Sequence, residues 1–507
     1  MRWEVLAPAA VSLAVALALL FAPPDDLART LPVEDAFYAL SVAREAATQG
    51  GITIDGQTRT TGFQPLWVAL NVPVYALVGG DRIDGLRLSQ LLSTLLWLAF
   101  AGLLALQARD LARRHGLEGR RATAAAAIVA LGSVSVLRLF RNGLETGLLL
   151  VLLATAVIVL DRWTTWSARR IVLAGVLLGA LAWARLDAAV FALAFGAVVL
   201  WRDRRGAVAP LAACALAALL LVPWLAYSVA LDGSPMPSGG RSQAGAYDVV
   251  HNLDSALRAV GAWTLAPVLR VGMHPQPVPY TEILALGGIA LTTLAVVSVR
   301  RGPRRSIGSA TVALALYAAF LVGWYTLMFG SWWFLDRYLA PLLLVAVPWL
   351  ACALERLGRR WSLPALSGVV LVANVPVLAV LLTAPHWPPP WWTSPTSNLG
   401  THPNLNYELQ YAQTRALVRD ECRVGAYESG TLGYFREGVV NLDGKVNSAA
   451  LRARLAERSA EYARRAGVDV MVDIPTYGWA RSGWRPMADL GRYKVWVRPG
   501  REACLQP

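Results

Sequence analysis

The feature that most constrains this chain is a series of eleven apolar segments, most of them long enough to cross a membrane. A bilayer core of roughly 30 Å needs about 20 apolar residues in a helix. Only 16% of the 507 residues are charged, whereas soluble domains carry about 25%. The chain is therefore predicted to be an α-helical polytopic membrane protein. The predicted spans are 5–21, 86–106, 122–140, 144–160, 171–184, 187–201, 206–231, 281–298, 308–329, 337–354 and 362–383.

The orientation of these spans follows from where the arginines lie, because cytoplasmic loops are enriched in basic residues. With the N-terminus inside, every loop predicted to be inside is rich in arginine, namely 107–121, 161–170, 202–205, 300–305 and 355–360. Counting Phe63–Val78 as a further span would move these arginines outside. Pro65, Asn71 and Pro73 make that segment a poor spanning helix, so we interpret it as a helix in the outer interface.

An odd number of spans puts the C-terminus outside and divides the chain into two predicted domains. Residues 1–384 form a transmembrane domain, and residues 385–507 form an extracytoplasmic α/β domain that opens with the stiff linker HWPPPWWTSP. The predicted elements of the second domain are strands at Arg423–Tyr427, Val439–Leu442, Val468–Ile474 and Tyr493–Val497, and a helix at Ser448–Ala466. Cys422 and Cys504 bracket this domain and could form a disulfide if it lies in an oxidising compartment.

The net charge of +14 and the pI of about 10.0 do not indicate a nucleic-acid partner. The basic residues are almost all arginines near predicted cytoplasmic helix ends, and no basic block is interleaved with aromatic residues. The lipid bilayer is the partner that this charge pattern predicts. No cysteine and histidine spacing resembles a zinc site.

The first predicted outer loop, 22–85, contains an acidic pair, Glu34 and Asp35, at the start of a predicted helix, Val33–Ala47. Acidic residues at a helix N-terminus are stabilised by the helix dipole by about 0.3–1 kcal/mol, which needs no function. The alternative is that one of the two carboxylates acts as a general base at the membrane surface.

Further ionisable residues fall on the same predicted outer face, although each also has a structural explanation. Glu145 could cap a helix, and Arg185 and Asp187 could pair with each other in a very short turn. Arg337 precedes Tyr338 in SWWFLDRYLAP and could instead bind an anion, since guanidinium binds phosphate in a bidentate manner. Arg241 lies in a Gly/Ser/Pro-rich loop, 232–280, that is either a mobile flap or a simple surface loop.

Five stretches of the chain resemble the polytopic glycosyltransferases of the GT-C class, which take sugars from polyprenyl-phosphate donors. They are EDAFYALSVAREAATQGGITIDG with TTGFQPLW (34–67), NGLETG (142–147), ARLD (184–187), DRYLAP (336–341) and VGAYESGTLGYF with VVNLDGKVN (424–447). The last of these resembles the extracytoplasmic tail of bacterial arabinofuranosyltransferase-like and mannosyltransferase-like members.

This resemblance implies a role for each of the outer residues. The catalytic carboxylate would be Glu34 or Asp35; the first acid is usually Asp in related sequences, so the substitution by Glu leaves the choice open. Arg337 would hold the donor phosphate, with Tyr338 beside it. Glu145, Arg185 and Asp187 would line the sugar or acceptor pocket, and Arg241 would contact phosphate. No cofactor is implied with certainty, and a divalent metal is left open.

The resulting expectation is an integral glycosyltransferase of the cell inner or plasma membrane. It would move a sugar from a polyprenyl-phosphate donor to an envelope glycan, lipid or protein acceptor on the extracytoplasmic face, by a single inverting displacement. Two alternatives remain, a membrane transporter and a non-catalytic scaffold for envelope assembly. Transporters usually place charges near the bilayer midplane and often contain repeats; no repeat is visible here.

Overall fold

The computed structural model describes residues 3–30, 32–243, 249–264, 280–300, 307–328, 335–358, 362–383, 406–475 and 479–506. The predicted linker HWPPPWWTSP lies outside the described residues, as do the first residues of SWWFLDRYLAP and the parts 244–248 and 265–279 of the predicted flap loop.

The described residues are mostly helical. The helices are α1 (Trp3–Leu20), α2 (Pro24–Thr30), α3 (Glu34–Gln49), α4 (Pro65–Leu77), α5 (Arg82–Arg114), α6 (Arg120–Gly132), α7 (Val134–Arg141), α8 (Thr146–Arg162), α9 (Ala168–Ala184), α10 (Ala189–Arg202), α11 (Val208–Asp232), α12 (Ser238–Ser242), α13 (Val249–Thr264), α14 (Tyr280–Arg300), α15 (Ser309–Met328), α16 (Leu335–Tyr338), α17 (Leu342–Leu357), α18 (Ser362–Thr383), α19 (Gln413–Leu417), α20 (Gly430–Phe435), α21 (Ser448–Leu455) and α22 (Ser459–Arg465). The strands are β1 (Val424–Ala426), β2 (Val439–Asn441), β3 (Val470–Asp473), β4 (Arg485–Leu490) and β5 (Tyr493–Val497).

Each of the eleven predicted spans contains a helix, but fewer helices are long and apolar enough to cross a membrane. Within the described residues three are, α5, α11 and α15, or four if α6 and α7 together form one broken span. The bend of 61° between α6 and α7 falls at Ser133. There the amide of Val134, which the break removes from the helical hydrogen-bond pattern, donates to the side chain of Asn374 over 2.8 Å. The mostly helical, membrane-type architecture is therefore present, and a total of eleven spans is not established.

One compact unit comprises Met1–Ala22, Leu91–Val222 and Ala246–His402. Inside it, α6 packs against α1, α17 and α18, and α15 packs against α8 and α10. Large apolar side chains point outward from several of its helices, for example Leu193, Leu219, Leu294 and Val372. A soluble protein would bury many of these side chains, whereas in a membrane protein they face lipid.

The second compact unit comprises Pro23–Gln90, Pro223–Gly245 and Pro403–Pro507. Its five-stranded sheet has the order β2-β1-β3-β5-β4, in which β1 is parallel to β2 and β3, and β5 is antiparallel to β3 and β4. Helix α3 packs against α4 and α20. Cys422 and Cys504 form a disulfide, which confirms the pairing considered from the sequence.

Two expectations for the C-terminal region need correction. The predicted helix Ser448–Ala466 is two helices, α21 and α22, because Glu457 adopts a positive φ of 58° that ends the first helix. Strand β4 was not predicted. It carries Pro486, which is tolerated at the edge of a sheet, where its missing N–H group leaves no central hydrogen bond unmade.

Candidate functional site

The predicted site residues form two clusters, one within each compact unit. Glu34 and Asp35 are the first two residues of α3, and Val33 before them has an extended backbone. Successive residues of a helix point about 100° apart, so the two carboxylates meet different neighbours. The group formed by Asp35, Asp443 and Lys445 is called the acid cluster below.

Glu34 binds the start of α20 with both carboxylate oxygens. The backbone amides of Gly430 and Thr431 donate to its Oε1 and Oε2, the latter over 3.0 Å, and the Thr431 hydroxyl also donates to Oε2. Desolvation raises the pKa of Glu34 from 4.5 to about 7, because it outweighs the hydrogen bonds from Thr431. The side chain therefore joins α3 to α20.

Asp35 faces a different partner, the ammonium group of Lys445. Lys445 Nζ lies 2.9 Å from Oδ1 of Asp35 and 3.7 Å from Oδ2 of Asp443. The ammonium also lies 6.0 Å from the centre of the Tyr38 ring, on the turn of α3 that follows Asp35. One cation thus lies between two carboxylates that are both largely shielded from solvent, with 13% and 9% of their side chains exposed.

The turn that carries Lys445 is held by its own side chains. Asp443 Oδ1 accepts from the backbone amide of Lys445 over 2.7 Å and from Asn441 Nδ2 over 2.8 Å. The amide of Gly444 donates to Asn441 Oδ1 over 3.1 Å, and Gly444 has a positive φ of 81° that favours glycine. The sequence NLDGK therefore presents its lysine from a rigid turn.

Arg241 belongs to the same compact unit and pairs with Asp232 at 3.3 Å. The hydroxyl of Thr61 donates to Asp232, and the amide of Ser238 donates to Thr61 Oγ1 over 2.9 Å. Ser238 in turn donates its hydroxyl to the carbonyl of Lys445 over 2.8 Å. Hydrogen bonds thus join the first loop, the segment around α12 and the turn 441–445, which carries Lys445 and is called the lysine turn below.

The second group, called the arginine cluster, is built from side chains of the other compact unit. Arg185 forms an ion pair with Asp187, and the hydroxyls of Tyr325 and Tyr317 donate to the same carboxylate over 2.7 and 3.3 Å. The Arg185 guanidinium lies 4.9 Å from the centre of the Tyr338 ring. The pairing of Arg185 with Asp187 that the sequence suggested is therefore confirmed.

Arg337 shares the ring of Tyr338 with Arg185, since its guanidinium lies 5.1 Å from the ring centre. Tyr338 stacks on Tyr325 at 4.4 Å, and Arg185 donates to the backbone carbonyl of Arg337 over 3.4 Å. Glu145, at the start of α8, is buried and interacts electrostatically with Arg185 and Arg337. The arginine cluster thus contains all the predicted site residues of its unit.

The described residues offer little for a divalent metal. Their one group of three candidate ligands is Cys422, Asp469 and Cys504, whose two cysteines are disulfide-bonded. Between Asp35 and Asp443, where two carboxylates could share a cation, the ammonium of Lys445 already supplies the positive charge. The acid cluster therefore does not fit a metal as it stands, and no step is assigned to one.

Sequence reasoning missed several residues of both clusters. Lys445 carried a signal, because it is one of only two lysines among 47 basic residues and follows Asp443 and Gly444 in a turn motif. Tyr317 and Tyr325 carried none, since tyrosines in an apolar segment look like core residues. The partner of Asp35 is 410 positions away in the chain, a separation that no local pattern encodes.

Two solved structures share the fold of this chain. The crystal structure of ArnT from Cupriavidus metallidurans bound to undecaprenyl phosphate has a TM-score of 0.58 and 15% identity, over 97% of this chain and 98% of that chain. The structure of ArnT from the same organism in the apo state has a TM-score of 0.58 and 14% identity, over 96% and 97% of the two chains. The GT-C-like fold predicted from the sequence is confirmed. No protein-family model and no curated protein matches the chain.

Proposed function

We propose that this protein is an integral membrane glycosyltransferase that moves a sugar from a polyprenyl-phosphate donor to an acceptor hydroxyl on the extracytoplasmic face. The observation that carries the proposal is the likeness of fold, over almost the whole of both chains, to ArnT bound to undecaprenyl phosphate. The acceptor belongs to the envelope and is a glycan, a lipid or a protein.

Two further observations support the proposed sidedness. The disulfide between Cys422 and Cys504 is a bond that persists in oxidising compartments, which favours an extracytoplasmic location for the unit that contains the acid cluster. The arginine-rich loops favour a cytoplasmic N-terminus and about eleven spans. The proposal keeps the division into a transmembrane domain, residues 1–384, and an extracytoplasmic domain, residues 385–507.

We assign the role of general base to Asp35. Both oxygens of Glu34 already accept hydrogen bonds from α20, so we assign Glu34 to holding the helix and not to accepting the proton of the acceptor hydroxyl. Asp35 is anchored through Oδ1 to Lys445. In the proposed reaction the acceptor oxygen attacks the anomeric carbon and gives its proton to Asp35, a contribution of typically 10²–10⁴-fold for a general base.

We assign stabilisation of the leaving phosphate to Arg337. As the bond between the anomeric carbon and the phosphate oxygen breaks, the electron pair stays on the phosphate, and a guanidinium stabilises the charge that develops there. Arg185 is held by Asp187 and donates to the backbone carbonyl of Arg337. We therefore assign to Arg185 the positioning of the segment that carries Arg337. Glu145, Tyr338 and Arg241 are proposed to line the sugar and phosphate sites.

The test is transfer by the purified full-length protein from a panel of synthetic polyprenyl-phosphate sugars, with release of polyprenyl phosphate as the readout. Asp35→Asn should lower the rate by roughly 10²–10⁴-fold, and Arg337→Ala should weaken donor binding while the protein still inserts. Asp84→Asn and Arg120→Ala are matched controls, because these side chains are 59% and 89% exposed and belong to neither cluster.

The alternatives give different results in the same assay. A scaffold would release no polyprenyl phosphate and would keep its cellular role after Asp35→Asn. A transporter would carry substrate into vesicles without forming a product. Either result would contradict the proposed transfer reaction.

A further inference from the structure

The lysine turn carries an ammonium group, that of Lys445, to which the proposed reaction assigns no step. Lys445 Nζ lies between Asp35 and Asp443, closer to Asp35 by 2.9 Å against 3.7 Å. Apart from Lys445 the chain has a single lysine, Lys494. An ammonium is a compact point charge with three donors, unlike the planar guanidinium of the arginines that predominate here.

The position of Lys445 is fixed from both sides of its backbone. Its amide donates to Asp443 over 2.7 Å, and its carbonyl accepts from Ser238 over 2.8 Å. Gly62 packs directly on that carbonyl, so that a Cβ added to Gly62 would lie 1.8 Å from it. The ammonium therefore reaches Asp35 from a backbone that has little freedom to move.

We propose that Lys445 is the positioning residue of the reaction: it orients Asp35 and keeps it ionised, so that a carboxylate stands ready to accept the proton. This inference rests on the proposed function. Without the ammonium, Asp35 would lie in a largely desolvated place beside Asp443, and both effects disfavour a second negative charge. The ammonium at 2.9 Å from Oδ1 opposes both effects, because a neighbouring positive charge favours the ionised carboxylate, and it also fixes the orientation of the carboxylate.

Most of the other ionisable groups that the described residues place around the pair are acids. Helix α3 contributes Glu34 and Tyr38, the segment before α20 contributes Glu428, and the turn contributes Asp443. Three of these four are acids. Arg241, from the segment around α12, is paired with Asp232. Among the described ion pairs, Lys445 is thus the cation that Asp35 contacts.

The first experiment compares the pH dependence of kcat/KM in the wild type, Lys445→Met and Lys445→Arg. The acidic limb should move upward by about one to three pH units in Lys445→Met, as expected for an acid that loses a neighbouring cation. The kcat should fall while the KM for the donor changes little, because the proposal gives Lys445 a role toward Asp35 and none in donor binding. Lys445→Arg should restore the position of the limb in part. Lys494→Met, which removes the other lysine, should leave the profile unchanged.

A second experiment measures Asp35 directly and needs no turnover. Infrared titration of carboxyl bands in the purified protein, with Asp35→Asn subtracted, reports the protonation of Asp35. The band should appear at higher pH in Lys445→Met than in the wild type. If Asp35 titrates at the same pH in both proteins, the proposed role of Lys445 is wrong, even if transfer is observed. If the titration moves but no sugar is transferred, the ion pair stands, and the proposed reaction and the positioning role within it both fail.

Discussion

At the scale of single residues, the acidic pair shows why adjacent carboxylates on a helix do different work. Glu34 accepts hydrogen bonds from the first amides of α20, whereas Asp35 faces an ammonium. Adjacent positions of a helix point about 100° apart, and the two acids accordingly meet different partners. The sequence could not predict their partners, because Thr431 and Lys445 are 397 and 410 positions away.

Glu34 should make the stability of the protein depend on pH. Its pKa is about 7 in the folded protein against an ordinary value of 4.5, because the carboxyl is desolvated. A pKa that is higher in the folded state favours the folded protein below the lower value, and this contribution is lost as the pH rises through the higher one. The unfolding temperature of the wild type should therefore fall relative to that of Glu34→Gln between about pH 4.5 and about pH 7.

The measurement is thermal unfolding of the detergent-solubilised protein across that pH range. Glu118→Gln is the control, because that side chain is 80% exposed and its curve should parallel the wild type. Parallel curves for Glu34→Gln as well would show that the pKa of Glu34 is not raised.

At the scale of elements, local patterns predicted the helices well and the contacts between them poorly. Long apolar runs gave helices at all eleven predicted positions, and Tyr493–Val497 is a strand as predicted. Strand β4 lacks the alternation that would reveal it, since Pro486, Met487 and Ala488 follow one another in its centre. The break at Glu457 depends on one backbone angle, which composition does not encode.

The contact between α3 and α20 leads to a prediction about two glycines. A Cβ added to Gly430 would lie 2.3 Å from the backbone carbonyl oxygen of Glu34, whereas one added to Gly433 on the same short helix would meet only Val439, at 3.7 Å. Gly430→Ala should therefore lower the free energy of unfolding by about 1–3 kcal/mol, as overpacking does. Gly433→Ala should be neutral or stabilising by up to about 1 kcal/mol, because alanine favours helix.

Denaturant unfolding of the two variants beside the wild type is the measurement. Equal destabilisation by both substitutions would mean that any side chain disturbs this helix and that close approach to Glu34 is not the cause.

At the scale of the whole molecule, the direction of the chain in the membrane determines which clusters can meet a lipid-linked sugar from outside. The fold is shared with ArnT over almost the entire chain, but a fold does not report which end faces the cytoplasm. The arginine-rich loops and the disulfide are independent indications of the same orientation. They can be tested together because the chain has few cysteines.

Cysteine labelling should show opposite sides for two exposed positions. In a background in which the free cysteines Cys214 and Cys352 are replaced by alanine, Glu461→Cys reports on α22, and Arg120→Cys reports on a loop predicted to be inside. Their side chains are 51% and 89% exposed, so a maleimide that cannot cross membranes should reach either one from its own side.

Glu461→Cys should react in intact cells whose outer layers have been removed, and Arg120→Cys only after permeabilisation. The disulfide should leave Cys422 and Cys504 unlabelled, and the background protein is the control for this. Labelling of Arg120→Cys alone in intact cells would show that the orientation is the reverse of the proposed one. Asp35 lies in the same compact unit as Glu461, so that result would place the proposed base on the cytoplasmic side and remove the extracytoplasmic transfer reaction.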